Sequence, residues 1–128
     1  MDQEEHSARQ RFLDATLCLD LELPPDGRGP VEVGFAFRRQ SWRKRAAGDQ
    51  LGRFLDTACT AAGDARFLLG HNLLRHDLPI LRRRAPQARI HRLPVVDTLF
   101  LSPLAFPENP YHRLVKGYKL LKQARNDP

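Results

Sequence analysis

The stretch Leu17-Cys18-Leu19-Asp20-Leu21-Glu22-Leu23 decides how the rest of the chain is interpreted. It is an apolar run of strand length that carries two acids, Asp20 and Glu22, at its far end. Because successive side chains of a β-strand alternate between the two faces, both carboxylates project from the same face. Two carboxylates held side by side repel each other unless a cation or a proton lies between them. The stretch therefore predicts half of a metal site, with an ordinary polar strand end as the simpler alternative.

The length and composition are those of one globular domain. The chain has 128 residues, of which 41% are hydrophobic and 28% charged, and this is enough for a real core. We expect a flexible lead-in over residues 1–11 and a single domain over residues 12–128. The sequence has no apolar stretch of membrane-spanning length and no secretory signal, so we expect a cytoplasmic protein. Cys18 and Cys59 lie in apolar patterns, which favours buried thiols over a disulfide or metal ligands.

Basic residues are numerous and clustered. The formal net charge is +6. Clusters of this kind favour a polyanionic partner, of which nucleic acid is the commonest, although a solvated basic surface has the same composition. The three clusters are Arg38, Arg39, Arg43, Lys44 and Arg45; Arg82, Arg83 and Arg84; and Arg113, Lys116, Lys119, Lys122 and Arg125.

The first part of the chain has the pattern of a β-hairpin. A dense turn signal in residues 24–30 separates two apolar runs, residues 12–23 and residues 31–37, and predicts two antiparallel neighbouring strands. Residues 38–48, which contain the only tryptophan, are predicted to be a basic loop.

The rest of the chain alternates between helix and strand patterns, which favours an α/β fold with parallel strands after the hairpin. An apolar stripe predicts a helix that follows Asp49 as its N-cap and ends before Gly63. A second helical pattern spans residues 71–84, where Pro79 either kinks the helix or lies in the first turn of a regular part that begins near Asp77. Further segments are two short strands (67–70 and 93–97), a brief helix or turn (98–104), a proline-rich loop (105–110) and a last helix from residue 111 or 112 to 125.

Acids stand at or just after the ends of three predicted strands, and ligands of open α/β sheets gather at such ends. Converging carboxylates suit Mg²⁺ or Mn²⁺, which prefer oxygen ligands. Two such ions can activate a water and stabilise the leaving oxygen of a phosphodiester. Together with the basic clusters, the acids suggest hydrolysis of nucleic acid. They are Asp20, Glu22, Asp77 and Asp97.

Three motifs occur in an order that resembles the DEDD-type (DEDDh-like) 3′–5′ exonucleases. They are Leu19-Asp20-Leu21-Glu22, then Leu69-Gly70-His71-Asn72 with Asp77 downstream, then Val96-Asp97-Thr98-Leu99. The resemblance implies a ribonuclease H-like mixed sheet with flanking helices. The segments Pro103-Leu104-Ala105-Phe106-Pro107 and Tyr111-His112-Arg113-Leu114-Val115-Lys116 are also similar to the exonuclease-like domain of some bacterial RecQ-type helicases.

Carried over by position, the resemblance implies a role for each motif residue. It makes Asp20, Glu22 and Asp77 the catalytic metal ligands for two Mg²⁺ or Mn²⁺ ions. It also implies that Leu21, His71 and Asn72 contact the substrate strand. Two residues are expected to be structural: His76 as a packing residue in place of the family's aromatic, and Asp97 as a cap of the following turn.

The third motif of the family, a general base followed by a fourth aspartate, has no clear counterpart. His112 is a candidate base and Asp127 a candidate fourth ligand. We therefore expect a partial domain, incomplete at the C-terminus, that acts as a metal-dependent exonuclease on single-stranded DNA ends rather than on RNA. The alternatives are a catalytically incomplete nucleic-acid-binding module beside a helicase motor in a longer chain, and a fragment that folds poorly.

Overall fold

A five-stranded mixed sheet forms the centre of the computed structural model, which describes residues 2–100. The sheet has three antiparallel strands on one side and two parallel additions on the other, in the order β3-β2-β1-β4-β5. The strand that carries Asp20 is therefore central and joins the antiparallel part to the parallel part. The strands are β1 (Thr16–Glu22), β2 (Val31–Phe37), β3 (Gln40–Ala46), β4 (Phe67–Gly70) and β5 (Val95–Asp97).

Helices cover both faces of the sheet. The larger apolar core lies on the face to which α2 and α3 contribute buried leucines and alanines, while a smaller cluster joins α1 to the other face at Cys18, Leu69 and Val96. Burial of these apolar side chains is the main stabilising contribution to such a layered arrangement. The helices are α1 (Gln3–Asp14), α2 (Asp49–Ala61) and α3 (Leu78–Arg84). The α/β class with a mixed sheet and flanking helices is thus as predicted.

The basic loop predicted over residues 38–48 is wrong, because most of it forms the edge strand β3. Every residue of β3 pairs with one of β2 across a tight turn at Arg38 and Arg39. An edge strand is solvated along one side, so it tolerates arginine and lysine that a central strand would exclude. Trp42 and Ala46 supply the contacts of β3 with the core.

Residues 1–11, predicted as a lead-in, belong largely to α1. The Asp2 carboxylate caps this helix by accepting a hydrogen bond from the Glu5 N–H at 2.7 Å. Phe12 stacks on Phe67 of β4 with ring centroids 5.1 Å apart, so the helix is held against the sheet. The first strand consequently begins at Thr16 rather than at residue 12.

The other predicted elements up to residue 100 are present, but two are shorter than predicted: the α-helix of the 71–84 pattern begins at Leu78, and the strand predicted over 93–97 is Val95–Asp97. The strands β1 and β2 form an antiparallel hairpin, and α2 buries the predicted stripe, although its N-cap is Gly48 rather than Asp49. Pro79 lies in the first turn of α3 and does not kink it. A π-helical turn, Leu73–Asp77, precedes α3, and short 3₁₀ turns occupy Arg89–Arg92 and Thr98–Phe100.

Several predictions fall on residues 101–128 and lie outside the described part of the chain. They are the end of the turn after β5, the proline-rich loop, the last helix, the third basic cluster, and the candidate roles of His112 and Asp127. Among the described residues, no helix is both long and apolar enough to span a membrane.

Candidate active site

The two acids of β1 occupy different environments at the end of a central strand. The odd-numbered leucines of β1, among them Leu19 and Leu21, belong to the main core. Asp20 projects from the other face, where it is 7% exposed. Glu22 lies at the strand end, and its side chain is 47% exposed. The alternation predicted from the sequence therefore places one acid in a buried position and the other at the rim.

Asp77, distant in sequence, lies close enough to Asp20 in space for the two charges to interact. It ends the π-helical turn and is 5% exposed. Burial raises the pKa of Asp77 above its ordinary value; the Asp20 charge also raises it, while donors from His76 and the Leu21 N–H lower it. A carboxylate pair that is partly desolvated and mutually repulsive attracts a cation or a proton. The structure thus brings together two of the three predicted metal ligands.

Backbone geometry after β4 places Asp77. A Cβ on Gly70 would lie 2.6 Å from the Leu19 carbonyl oxygen and 2.6 Å from Leu73 Cδ2, so only glycine permits this close approach of the chain to β1. Asn72 then adopts a left-handed conformation with φ of 61°, which asparagine tolerates better than most residues. The π-helical turn begins directly after it. Together these features turn the chain so that Asp77 lies beside β1.

Asp97 is structural, as predicted, and its role extends beyond capping its own turn. Its Oδ1 accepts from the Leu99 N–H at 3.0 Å and from the Asn72 N–H at 2.7 Å, and its Oδ2 accepts from the Leu74 N–H at 3.0 Å. All three donors are backbone groups, and the carboxylate is 6% exposed. Asp97 therefore fixes the turn that leads to Asp77, and its oxygens are already committed.

The three residues expected to contact substrate lie around this turn. His71 Nδ1 is 2.9 Å from Thr98 Oγ1, so its ring is oriented by the segment after β5. The Asn72 side-chain oxygen is buried and has no hydrogen-bond partner among the described residues. The Leu21 side chain is buried in the core, which leaves its backbone N–H as the group that faces Asp77.

Sequence reasoning missed two residues of this region. His76 is not a packing residue, because its side chain is 45% exposed and its Nδ1 donates to Asp77 Oδ1 at 2.8 Å. Arg43 of β3 forms an ion pair with Asp20 at 3.2 Å. The signal for Arg43 was the strand register: β3 had to be identified as a strand before Arg43 could be aligned with Asp20.

The donor chemistry of Asp20 and Asp77 fits an oxygen-preferring divalent cation. Both are buried carboxylates, and a cation between them would stabilise their two negative charges. Asp97 does not fit, because backbone N–H groups use both of its oxygens. Within residues 2–100, no group of three or more histidines, cysteines, aspartates or glutamates is arranged to hold a metal ion. A cation at this site would therefore depend on Asp20 and Asp77 first and on Glu22 at the rim.

The basic clusters are partly committed to structural contacts. Arg84 donates to the carbonyl oxygens of Gly29 at 2.6 Å and Gly27 at 3.0 Å, which fixes the loop between β1 and β2. Arg82 and Arg83 are exposed. Comparisons of the chain with known protein families, with curated proteins and with solved structures gave no match.

Proposed function

We infer that this chain is a nucleic-acid-processing domain of the 3′–5′ exonuclease type, with a ribonuclease H-like fold and with single-stranded DNA ends as substrate. The single observation that carries this inference is the meeting of Asp20 and Asp77, two buried acids from distant segments, at the carboxyl end of the central strand β1. The strand order supports the fold, since a three-stranded antiparallel unit continues into parallel strands at β1.

In this proposal Asp20 and Asp77 hold Mg²⁺ or Mn²⁺, and Glu22 completes the set from the rim. The bound ions supply the activation of water and the stabilisation of the leaving oxygen in phosphodiester hydrolysis. Asp97 acts only on geometry, by holding the turn before Asp77. His71 and Asn72, which follow β4 and precede the turn to Asp77, would contact the substrate strand.

The test is release of nucleotides from single-stranded DNA labelled at its 3′ end, with the full chain in Mg²⁺ or Mn²⁺. Asp20→Asn and Asp77→Asn are each expected to abolish release, because the carboxylates that would hold the cation are lost. Asp64→Asn is the matched control, since the Asp64 side chain is 79% exposed and contacts only Arg38 among the ion pairs of the described residues. Release that persists without divalent cations, or in Asp20→Asn, contradicts the proposal.

A second candidate function is a nucleic-acid-binding module without hydrolysis, accessory to a DNA helicase. It is favoured by the Arg43–Asp20 ion pair, which gives the buried acid a cation from the chain itself. Affinity for single-stranded DNA would then fall steeply with salt, because binding releases counterions.

Charge reversal at Arg82 and Arg83 tests this second function. The pair is exposed, whereas Arg84 supports the β1–β2 loop and should be left unchanged. We expect weaker binding and a smaller salt dependence. Binding that is insensitive both to salt and to this reversal argues against the module.

A further inference from the structure

One guanidinium on the edge strand contacts three carboxylates. Arg43 Nη2 lies 3.2 Å from Asp20 Oδ2, while its Nη1 lies 3.3 Å from Glu32 Oε1 and 4.0 Å from Glu22 Oε2. One end of the guanidinium therefore contacts Asp20, and the other end lies between Glu22 and Glu32. Because three acids share one positive charge, the cluster stays negative when all are ionised, and Asp77 adjoins it.

Gly34 makes this reach possible. The register places Asp20 opposite Gly34 and Gly34 opposite Arg43, in one row across β1, β2 and β3. Residues directly opposite one another lie on the same face, and neighbouring strands are about 4.8 Å apart. The Arg43 side chain has to cross β2 to reach Asp20, and a residue without a side chain leaves that path open.

The guanidinium spans the two acids of the D-x-E motif. A divalent cation at Asp20 and Glu22 would need the same oxygen lone pairs, so the cation and Arg43 compete for them. Arg43 should lower the affinity for the cation measurably, because the Asp20 side chain is only 9% exposed and that of Arg43 is 27% exposed. An ion pair shielded to this degree is screened less than a fully solvated one.

We propose that Arg43 is a resident counter-ion that a divalent cation displaces from Asp20 and Glu22, and that Glu32 retains the displaced guanidinium. This proposal rests on the proposed function in one respect, since it takes Asp20 as a cation ligand. Glu32 is suited to the role because it already lies 3.3 Å from Arg43 and its side chain is 33% exposed. Its strand, β2, also pairs directly with β3. The arginine can therefore leave the acid pair without losing every partner.

The test is the affinity of the full chain for Mn²⁺ in the absence of nucleic acid. It is measured by calorimetry or from the electron paramagnetic resonance signal of free Mn²⁺. Arg43→Gln is expected to bind Mn²⁺ about tenfold more tightly, because the competing cation is gone. Arg43→Lys should lie between the two, since a compact ammonium cannot span both acids. It also keeps the positive charge, so it provides a folded variant if Arg43→Gln does not fold.

Lys44→Gln is the matched control, because Lys44 lies on the same strand and its loss changes the net charge equally. Lys44 is paired with Val33, which belongs to the main core, so Lys44 lies on the opposite face of the sheet from Arg43. We expect its Mn²⁺ affinity to change by less than about twofold. Asp20→Asn should abolish the gain seen in Arg43→Gln.

Glu32→Gln separates the retaining role from simple charge. If Glu32 holds the displaced arginine, its loss weakens Mn²⁺ binding more in the wild-type background than in Arg43→Gln, and equal losses refute that role. Arg43→Gln with the affinity of the wild type or of Lys44→Gln overturns the whole proposal, as does a lack of Mn²⁺ binding by all variants. Tighter binding by Arg43→Gln without any metal-dependent nucleotide release leaves the displacement standing and counts against the nuclease.

Discussion

Asp97 and Asp77 are both buried acids near the carboxyl ends of strands, but their surroundings give them opposite roles. Asp97 accepts from three backbone N–H groups, which is a complete set of partners for a structural carboxylate. Asp77 shares its surroundings with the Asp20 charge and has a raised pKa because of burial. A buried acid without full compensation is the more reactive kind, and Asp77 is therefore the better functional candidate of the two.

Asp97→Asn should destabilise the fold although it is nearly isosteric. An amide keeps one acceptor oxygen but turns an NH₂ group towards a backbone N–H, so at least one buried donor loses its acceptor. Such a loss lowers the free energy of unfolding by about 2 kcal/mol, which urea denaturation can measure. Asp64→Asn, at a site 79% exposed, should change it by less than about 0.5 kcal/mol. Equal effects of the two substitutions would contradict the role of Asp97.

The raised pKa of Asp77 predicts a pH-dependent stability in metal-free buffer. The folded state holds the Asp77 proton more tightly than the unfolded state, whose value is near the ordinary 3.8. The contribution of Asp77 to stability is therefore complete below the unfolded pKa, and it is lost as pH rises through the raised folded pKa.

Comparison of the wild type with Asp77→Asn reports this effect as a difference between two proteins that share every other ionisable group. The free energy of unfolding of the wild type, minus that of Asp77→Asn, should fall as pH rises from just below 3.8. Urea denaturation at a series of pH values measures the difference. A difference that is constant with pH, or that grows with pH, refutes the prediction.

At the scale of elements, the connection between β4 and the π-helical turn depends on Gly70. Gly70→Ala places a Cβ 2.6 Å from a backbone oxygen of β1, and because backbone yields little, we expect a loss of about 2 kcal/mol or more in the free energy of unfolding. Gly52→Ala is the matched control: its Cβ would meet Ala85 Cβ at an ordinary 3.9 Å inside α2. There the same substitution should stabilise the protein by about 0.5–1 kcal/mol. Unfolding curves of both variants should shift in opposite directions.

Elements with a clear apolar period were predictable from the sequence. The stripe that includes Leu51, Leu55 and Ala58 identified α2, and the alternation in β1 identified the faces of Asp20 and Glu22. The run Phe67–Gly70 identified β4 because it is short, apolar and bounded by turn residues. In each case local spacing reflects burial on one side of the element.

The missed features depend on tertiary contacts. Gln40–Ala46 is almost entirely polar, and its strand state comes from pairing with β2 rather than from its own pattern. The helix α1 has low amphipathicity and no buried residue, so its place is defined by tertiary contacts, the stacking of Phe12 on β4 and the packing of Leu13 against Leu69. Arg43 could not be assigned to the acids because its partners come from two other strands. The local sequence pattern does not show which distant residues come into contact.

The described part of the molecule, residues 2–100, is a sheet with an apolar cluster on each face, and Asp20 follows the smaller cluster along β1. Cys18 and Asp20 lie on the same face of β1, and α1 covers the Cys18 end of it. Cys59 packs against the larger core on the other side, and burial raises its pKa. The two cysteines, which are both partly buried, therefore lie in opposite layers.

Phe12→Ala should expose one layer without opening the other. Loss of the stack on Phe67 removes apolar contact between α1 and the sheet, with an expected loss of about 2 kcal/mol in the free energy of unfolding. The rate of Cys18 modification by a thiol reagent should rise well above that of the wild type, while the Cys59 rate changes little. Parallel acceleration of both cysteines would mean that the substitution unfolds the protein globally, and would contradict two separate layers.

The three hydrogen bonds of Asp97 also have a consequence for the order in which the molecule is built. Asp97 lies 25 residues after Asn72 and 23 after Leu74, the two backbone groups that it holds ahead of Asp77. During synthesis the strand β1 and its acids leave the ribosome early, but the turn that positions Asp77 gains its clamp only after β5 has emerged. We therefore expect Asp20 to be paired with Arg43 of the antiparallel strands before β5 has formed. The Asp20–Asp77 pair therefore reaches its final geometry only after β5 has joined the sheet, although Asp20 and Glu22 already lie together on β1.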